Sequence, residues 1–210
     1  MGTARLTWYF DYISPFAYLQ LATQPALFER DDIELKPVVF GALLAHWGNK
    51  GPAEIPPKSV FTYRHVIYRA RELGVALRFP RAIPFNPLGA LRLTLALGCG
   101  IGIVRTVFDF VWREGRLPSD EWPELCERLG ASDADALCNA PEIKAALRAN
   151  GEAALAAGVF GVPTFAIDRQ LFWGVDATPM LLAYLQDPAL FDDPEMRRVS
   201  HLPAAAQRKA

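Results

Sequence analysis

Between a strand-like segment ending near Phe40 and another beginning at Thr164 lie roughly 120 residues with helical periodicity and almost no strand character. Any sheet must therefore be built from the two ends of the chain. The punctuation inside the helical stretch is legible. Pro56-Pro57 precedes 58–74, Pro84 and Pro87 precede 88–98, and Gly115 follows 103–114. Pro118-Ser119 precedes 120–129, and Pro141 opens 141–157. Proline is tolerated at a first helical turn and glycine just past a last one, so each mark reads as a helix boundary.

Upstream, residues 5–12 read as a strand, 15–30 as a helix disturbed near Pro25, and 33–40 as a second strand. Downstream, 164–168 and 171–174 read as a hairpin around Asp168-Arg169-Gln170. A helix then enters at Thr178-Pro179, with Thr178 as cap and Pro179 at the first position. The outline is βαβ, a helical block, then ββα. A βαβ unit gives a parallel pair joined by a right-handed crossover. A hairpin and a helix complete a four-stranded mixed sheet. The expectation is an α/β, thioredoxin-like fold formed by 1–42 and 158–191, with an all-helical insertion domain at 43–157. Residues 192–210 read as a loosely ordered tail.

Composition limits the function classes. A chain of 210 residues, 51% hydrophobic, can bury one sizeable core or one core with an insertion packed on it. A net charge of −1 argues against nucleic acid or a polybasic membrane surface as the main partner. No apolar run approaches the roughly 18 to 20 residues of a bilayer span. Asp11 and Pro15 interrupt a signal-peptide layout, and Leu6 stands where a myristoylation signal needs Ser or Thr. A cytoplasmic location is the expectation. Cys99, Cys126 and Cys138 are widely spaced with no Cys-x-x-Cys pair, and His46, His65 and His201 are scattered, so neither a disulfide framework nor a metal site is expected.

Two segments carry chemistry. In the opener, Leu6, Trp8, Phe10 and Tyr12 alternate with Thr7, Tyr9 and Asp11, the period of a half-buried strand. Ser14 then stands as N-cap before Pro15 at a helix start, beside unpaired N–H groups and the positive end of the helix dipole. Such a place suits an anion, a thiolate included. The second segment is Gly161-Val162-Pro163-Thr164-Phe165, where a proline leading into a strand suggests a cis bond. Fold logic sets Pro163 opposite Ser14 and leaves the Val162 N–H and C=O free to pair with an extended peptide.

Taken with Gly48-Asn49-Lys50, Pro56-Pro57-Lys58, Phe85-Asn86-Pro87 leading to Arg92, Glu152-Ala153 and Phe172-Trp173-Gly174-Val175-Asp176, these segments resemble a known family. It comprises the 2-hydroxychromene-2-carboxylate isomerases and kappa-class glutathione transferases, relatives of the DsbA-like thiol oxidoreductases. The resemblance spans about Trp8 to Leu185 and implies glutathione as cofactor, with a small aromatic carboxylate as substrate. It implies that Ser14 hydrogen-bonds the glutathione thiolate as the catalytic residue, and that Val162 beside Pro163 pairs with the cysteine backbone. Asp176 would meet the γ-glutamyl ammonium, and Asn49 and Lys58 the carboxylates of the tripeptide or of an anionic substrate. The implied reaction is cis-trans isomerisation by thiolate addition, rotation and elimination, which regenerates glutathione. A homodimer is also implied. The alternatives are a kappa-class-like transferase or peroxidase and a non-catalytic thioredoxin-like peptide-binding or chaperone module.

The chain departs from the family pattern at Ala177, where arginine is common, and near Ile67, where an acidic residue is common. The segment 58–92 holds Lys58, Arg64, Arg69, Arg71, Arg78, Arg81 and Arg92 against only Glu72, a balance suited to anionic ligands or to pairing with the acidic stretch 120–135.

Overall fold

In a computed structural model the described residues are 5–203 and Ala206. The sheet has four strands in the order β2-β1-β3-β4: β1 (Leu6–Phe10), β2 (Ile33–Pro37), β3 (Thr164–Ile167) and β4 (Gln170–Trp173). β1 runs parallel to β2 and antiparallel to β3, which pairs antiparallel with β4. This is a thioredoxin-like mixed sheet. No strand occurs between Pro37 and Thr164.

The opener is buried on both faces, not on one. Leu6, Trp8 and Phe10 enter the main aromatic core with Phe28, Phe108, Phe165 and Phe172. Tyr9 faces the other way, into a second cluster with Val38, Leu43, Ala154, Val159 and Val162. That second face is covered by α3 (Phe40–His46) and α9 (Pro141–Ala156), whose Asn150 amide donates to the Pro37 carbonyl at 3.1 Å. The alternating pattern tracked a change of chemistry between two covered faces.

On the first face lie α1 (Pro15–Thr23) and α2 (Pro25–Phe28), one helical run broken at Gln24 before Pro25. The helical stretch continues with α4 (Pro56–Glu72), α5 (Leu88–Ala96), α6 (Ile101–Phe108), α7 (Trp122–Arg128) and α8 (Ala134–Asn139). After α6 the helix widens into a π-helical turn, Asp109–Arg113, burying Phe110, Val111 and Trp112. The hairpin turn is two residues, Asp168 and Arg169 at φ 50° and 68°, one position earlier than expected. A two-residue turn with both central residues left-handed matches the right-handed twist of the flanking strands.

The C-terminal part corrects two expectations. Thr178 is the first residue of α10 (Thr178–Gln186), not its cap, because a 3₁₀ turn at Val175–Ala177 precedes it. The stretch read as a loose tail contains α11 (Pro194–Val199), capped by Asp193, whose carboxylate accepts the Glu195 and Met196 N–H groups at 2.9 and 3.1 Å. Asp before Pro is a helix start, so the signal was present. α11 buries none of its residues. Residues 204–205 and 207–210 of that tail lie outside the described residues.

Candidate active site

β1 delivers the chain into the turn Asp11–Ser14, and α1 leaves from it. Five hydrogen bonds fix the turn. The Ser14 N–H donates to the Asp11 carbonyl at 3.1 Å. The Trp112 indole donates to the Tyr12 carbonyl at 2.7 Å, and the Tyr12 and Thr94 hydroxyls share a hydrogen bond of 2.6 Å. The Asp11 carboxylate accepts the N–H groups of Ile13 at 3.1 Å and Phe40 at 2.8 Å. The π-helical turn thus brings Trp112 to the site, and such insertions concentrate at functional sites.

Ser14 is buried and is the N-cap of α1: its Oγ accepts the Ala17 N–H at 3.3 Å. Its proton points the other way, towards the Val162 carbonyl at 3.4 Å. The Val162–Pro163 bond is cis, as expected from the sequence, and so is Ile83–Pro84, which was not foreseen. The Val162 N–H donates to nothing among the described residues, and its carbonyl receives only the long bond from Ser14. Ser14, Val162 and Pro163 are therefore brought together, 148 residues apart in sequence.

No contact among the described residues joins the other expected residues to Ser14. Asp176 is exposed in the 3₁₀ turn after β4, two residues past Gly174, whose N–H donates to the Pro163 carbonyl at 2.8 Å. The Asp176 carboxylate caps no helix. Asn49 is exposed beyond α3, a segment tied to the Pro163 loop where the Trp47 indole donates to the Val159 carbonyl at 3.0 Å. Lys58 is exposed in the first turn of α4 and has no ion pair among the described residues. α4 meets α1 through a ladder of rings, Phe16 to His65 at 6.1 Å and His65 to Phe61 at 5.8 Å.

Of the basic segment, Arg69 pairs with Glu72 and Arg81 with Asp120, so part of that charge is consumed internally. Arg92 Nε is buried without a partner among the described residues. Ala177 packs its methyl against the main core, and Ile67 is exposed on α4.

Four residues of consequence had no role assigned from sequence: Asp11, Gln20, Trp112 and Trp173. Buried Gln20 accepts the Trp8 indole N–H at 2.8 Å and donates to the Gly174 carbonyl at 3.2 Å and the Thr178 hydroxyl at 3.0 Å. It thereby fixes the turn that carries Asp176. Trp173 lies so close over Gly161 that a Cβ there would sit 2.6 Å from the indole nitrogen. A polar residue among the apolar positions of α1 was the available signal for Gln20. The others depend on tertiary contacts.

The family model for the DSBA-like thioredoxin domain matches residues 5–186. The chain belongs to the DsbA-like thioredoxin family. Within it, a 2-hydroxychromene-2-carboxylate isomerase from Sphingobium xenophagum is 31% identical over 88% of this chain and 100% of its own length. Glutathione S-transferase kappa 2 from Caenorhabditis elegans is 24% identical over 86% of this chain and 91% of its own. The solved structure of a 2-hydroxychromene-2-carboxylate isomerase shares the DsbA-like fold with a TM-score of 0.73 at 23% identity, covering 95% of this chain and 99% of that one. In this member of the DsbA-like family a serine, Ser14, occupies the helix start that faces the cis-proline loop.

Proposed function

We propose that this chain is a glutathione-dependent cis-trans isomerase of the 2-hydroxychromene-2-carboxylate type. The observation that carries this reading is the Ser14 hydroxyl, set between the N-terminus of α1 and the Val162 carbonyl at 3.4 Å. A serine forms no disulfide, so the position is fitted to hold a thiolate and not to exchange one.

The donor set fits glutathione. An extended tripeptide offers one amide donor and one acceptor at its cysteine, and Val162 presents a free N–H and a weakly engaged C=O. Its ammonium matches the exposed carboxylate of Asp176, and its carboxylates match Asn49 and Lys58. When bound, glutathione supplies a thiolate nucleophile that the reaction returns unchanged.

The chain's own residues do the rest. At 3.4 Å the Ser14–Val162 bond is long and weak, so the Ser14 proton turns to a sulfur anion at little cost. The Ala17 N–H holds the acceptor side of Oγ and keeps that proton aimed away from the helix. A donated hydrogen bond and the helix dipole both favour the charged thiol, lowering its pKa. The ring ladder Phe16–His65–Phe61 borders α1 beside this point, an apolar wall for an aromatic substrate.

A cytoplasmic location belongs to this reading and is supported by three free thiols, Cys99, Cys126 and Cys138. No helix among the described residues is long and apolar enough to cross a membrane. A homodimer is also part of the proposal.

The test is turnover of the chromene carboxylate with and without glutathione. The reading requires isomerisation that depends on glutathione and leaves its concentration unchanged. Consumption of glutathione mole for mole with substrate would instead favour the kappa-class transferase reading, which the Caenorhabditis relative supports. Binding without turnover would leave a peptide-binding module.

A further inference from the structure

Among the described residues Asp11 is the one acidic or basic side chain that is fully buried, 1% exposed, and none of them sets a cation against it. Its oxygens are divided between two segments: Oδ1 takes the Ile13 N–H at 3.1 Å and Oδ2 the Phe40 N–H at 2.8 Å. Ile13 precedes Ser14 in the turn that the Asp11 carbonyl also closes. Phe40 is the first residue of α3. Just past the far end of α3, Trp47 donates to Val159, which opens the loop carrying Val162 and Pro163. Ser14 then reaches back to the Val162 carbonyl. The contacts form a closed circuit of Asp11, Phe40, α3, Trp47, Val159–Val162 and Ser14.

A buried carboxylate with no counter-ion costs stability, and an amide or an apolar side chain would avoid that cost. Such groups concentrate at functional sites. We propose that Asp11 is the positioning residue of this site: its ionised carboxylate ties the Ser14 turn to α3, and through α3 to the Val162–Pro163 loop. This rests on the reading of Ser14 and Val162 as the glutathione site, and Asp11 itself touches no ligand.

Two N–H donors need two acceptor oxygens, which a carboxylate offers and a carboxylic acid does not offer equally. Burial outweighs the N–H bonds and pushes Asp11 up to about 7. The titratable groups near it are Tyr12 beside it and Cys99 near Tyr12, both raised by burial and neutral through this range. α3 presents only its Phe40 N–H here, since His46 lies at its other end. The π-helical turn reaches the neighbouring Tyr12 through Trp112, which does not titrate. As pH falls through neutrality the Phe40 or Ile13 bond is therefore lost and the two walls of the site come apart.

The experiment is an NMR titration of the ligand-free full chain, paired with glutathione affinity by calorimetry across the same pH range. The amide signals of Ile13, Ser14 and Phe40 should move together with a midpoint near 7 in the wild type and stay flat in Asp11→Asn. Wild-type affinity should fall by up to about tenfold per pH unit below the midpoint, while Asp11→Asn should bind weakly at every pH. Wild-type binding with amide signals that do not titrate overturns this inference alone. So does an Asp11→Asn protein with wild-type affinity and an unchanged pH curve. A wild type that binds no glutathione at any pH overturns the glutathione reading instead, and the amide titration then still decides whether Asp11 ties the loops together.

Discussion

A serine hydroxyl has one proton to give and two lone pairs to offer, and at position 14 the fold divides them. The Ala17 N–H takes the acceptor side and the Val162 carbonyl marks the donor side, so capping and ligand binding are two uses of one side chain. Ser14→Ala should lower stability by about 1 kcal/mol, the usual cost of a lost cap, as read by chemical denaturation. Turnover should fall at neutral pH and fall less at alkaline pH, where thiol ionises unaided. Activity unchanged across pH would reduce Ser14 to a cap. Asp176→Asn separates charge from shape in the same manner. The carboxylate caps nothing, so melting should barely move, while glutathione affinity should drop on the order of tenfold with the charge-assisted bond. An unchanged affinity with a lower melting temperature would make Asp176 structural. Ser14 was legible because Ser-Pro is a local signal. Asp11 was not, because its second partner, Phe40, lies 29 residues away.

At the scale of elements, the junction of β1, α1 and the turn before α10 depends on one amide. Gln20 joins Trp8, Gly174 and Thr178, and all of these contacts are at least partly buried. Gln20→Leu keeps the volume and leaves the Trp8 indole N–H without a partner. A loss of about 1–3 kcal/mol in urea denaturation is expected for that buried donor. Glutathione affinity should weaken as well, because the turn bearing Asp176 is freed. Element types were mostly readable from prolines and periodicity, and the exceptions have physical reasons. β2 stops at Pro37, short of the expected end at 40, where the chain turns into α3. The π-helical turn at Asp109–Arg113 keeps the apolar spacing of the helix before it, so no local pattern marks the wider winding. By sequence α9 belongs with the helical block, yet it packs on the sheet, and only contacts such as Asn150 to Pro37 reveal that. We propose the division into 1–42 with 158–191 and 43–157, α9 being the helix that joins the two parts.

For the whole molecule, Asp11 sets a pH dependence of unusual sign. Its pKa is about 7 in the fold against an ordinary 3.8, so between these values the folded chain holds a proton that the unfolded chain has released. Stability then falls as pH rises through this window, by an amount on the order of 4 kcal/mol at about 1.4 per unit. Carboxylates held low by arginines, such as Glu124 beside Arg116, act in the opposite sense only at lower pH and are too exposed to contribute much. Thermal melts should therefore peak at mildly acidic pH and decline towards neutrality, and Asp11→Asn should flatten that decline. A wild-type curve flat between about pH 4 and pH 7 would show that Asp11 ionises as freely as in water. The central claim, that Ser14 holds glutathione as a thiolate against the Val162–Pro163 loop, is tested most directly by titrating the ultraviolet thiolate absorbance of bound glutathione. The account predicts a thiol pKa depressed below that of free glutathione in the wild type and raised again in Ser14→Ala. A bound thiol that titrates identically in the two proteins would contradict it.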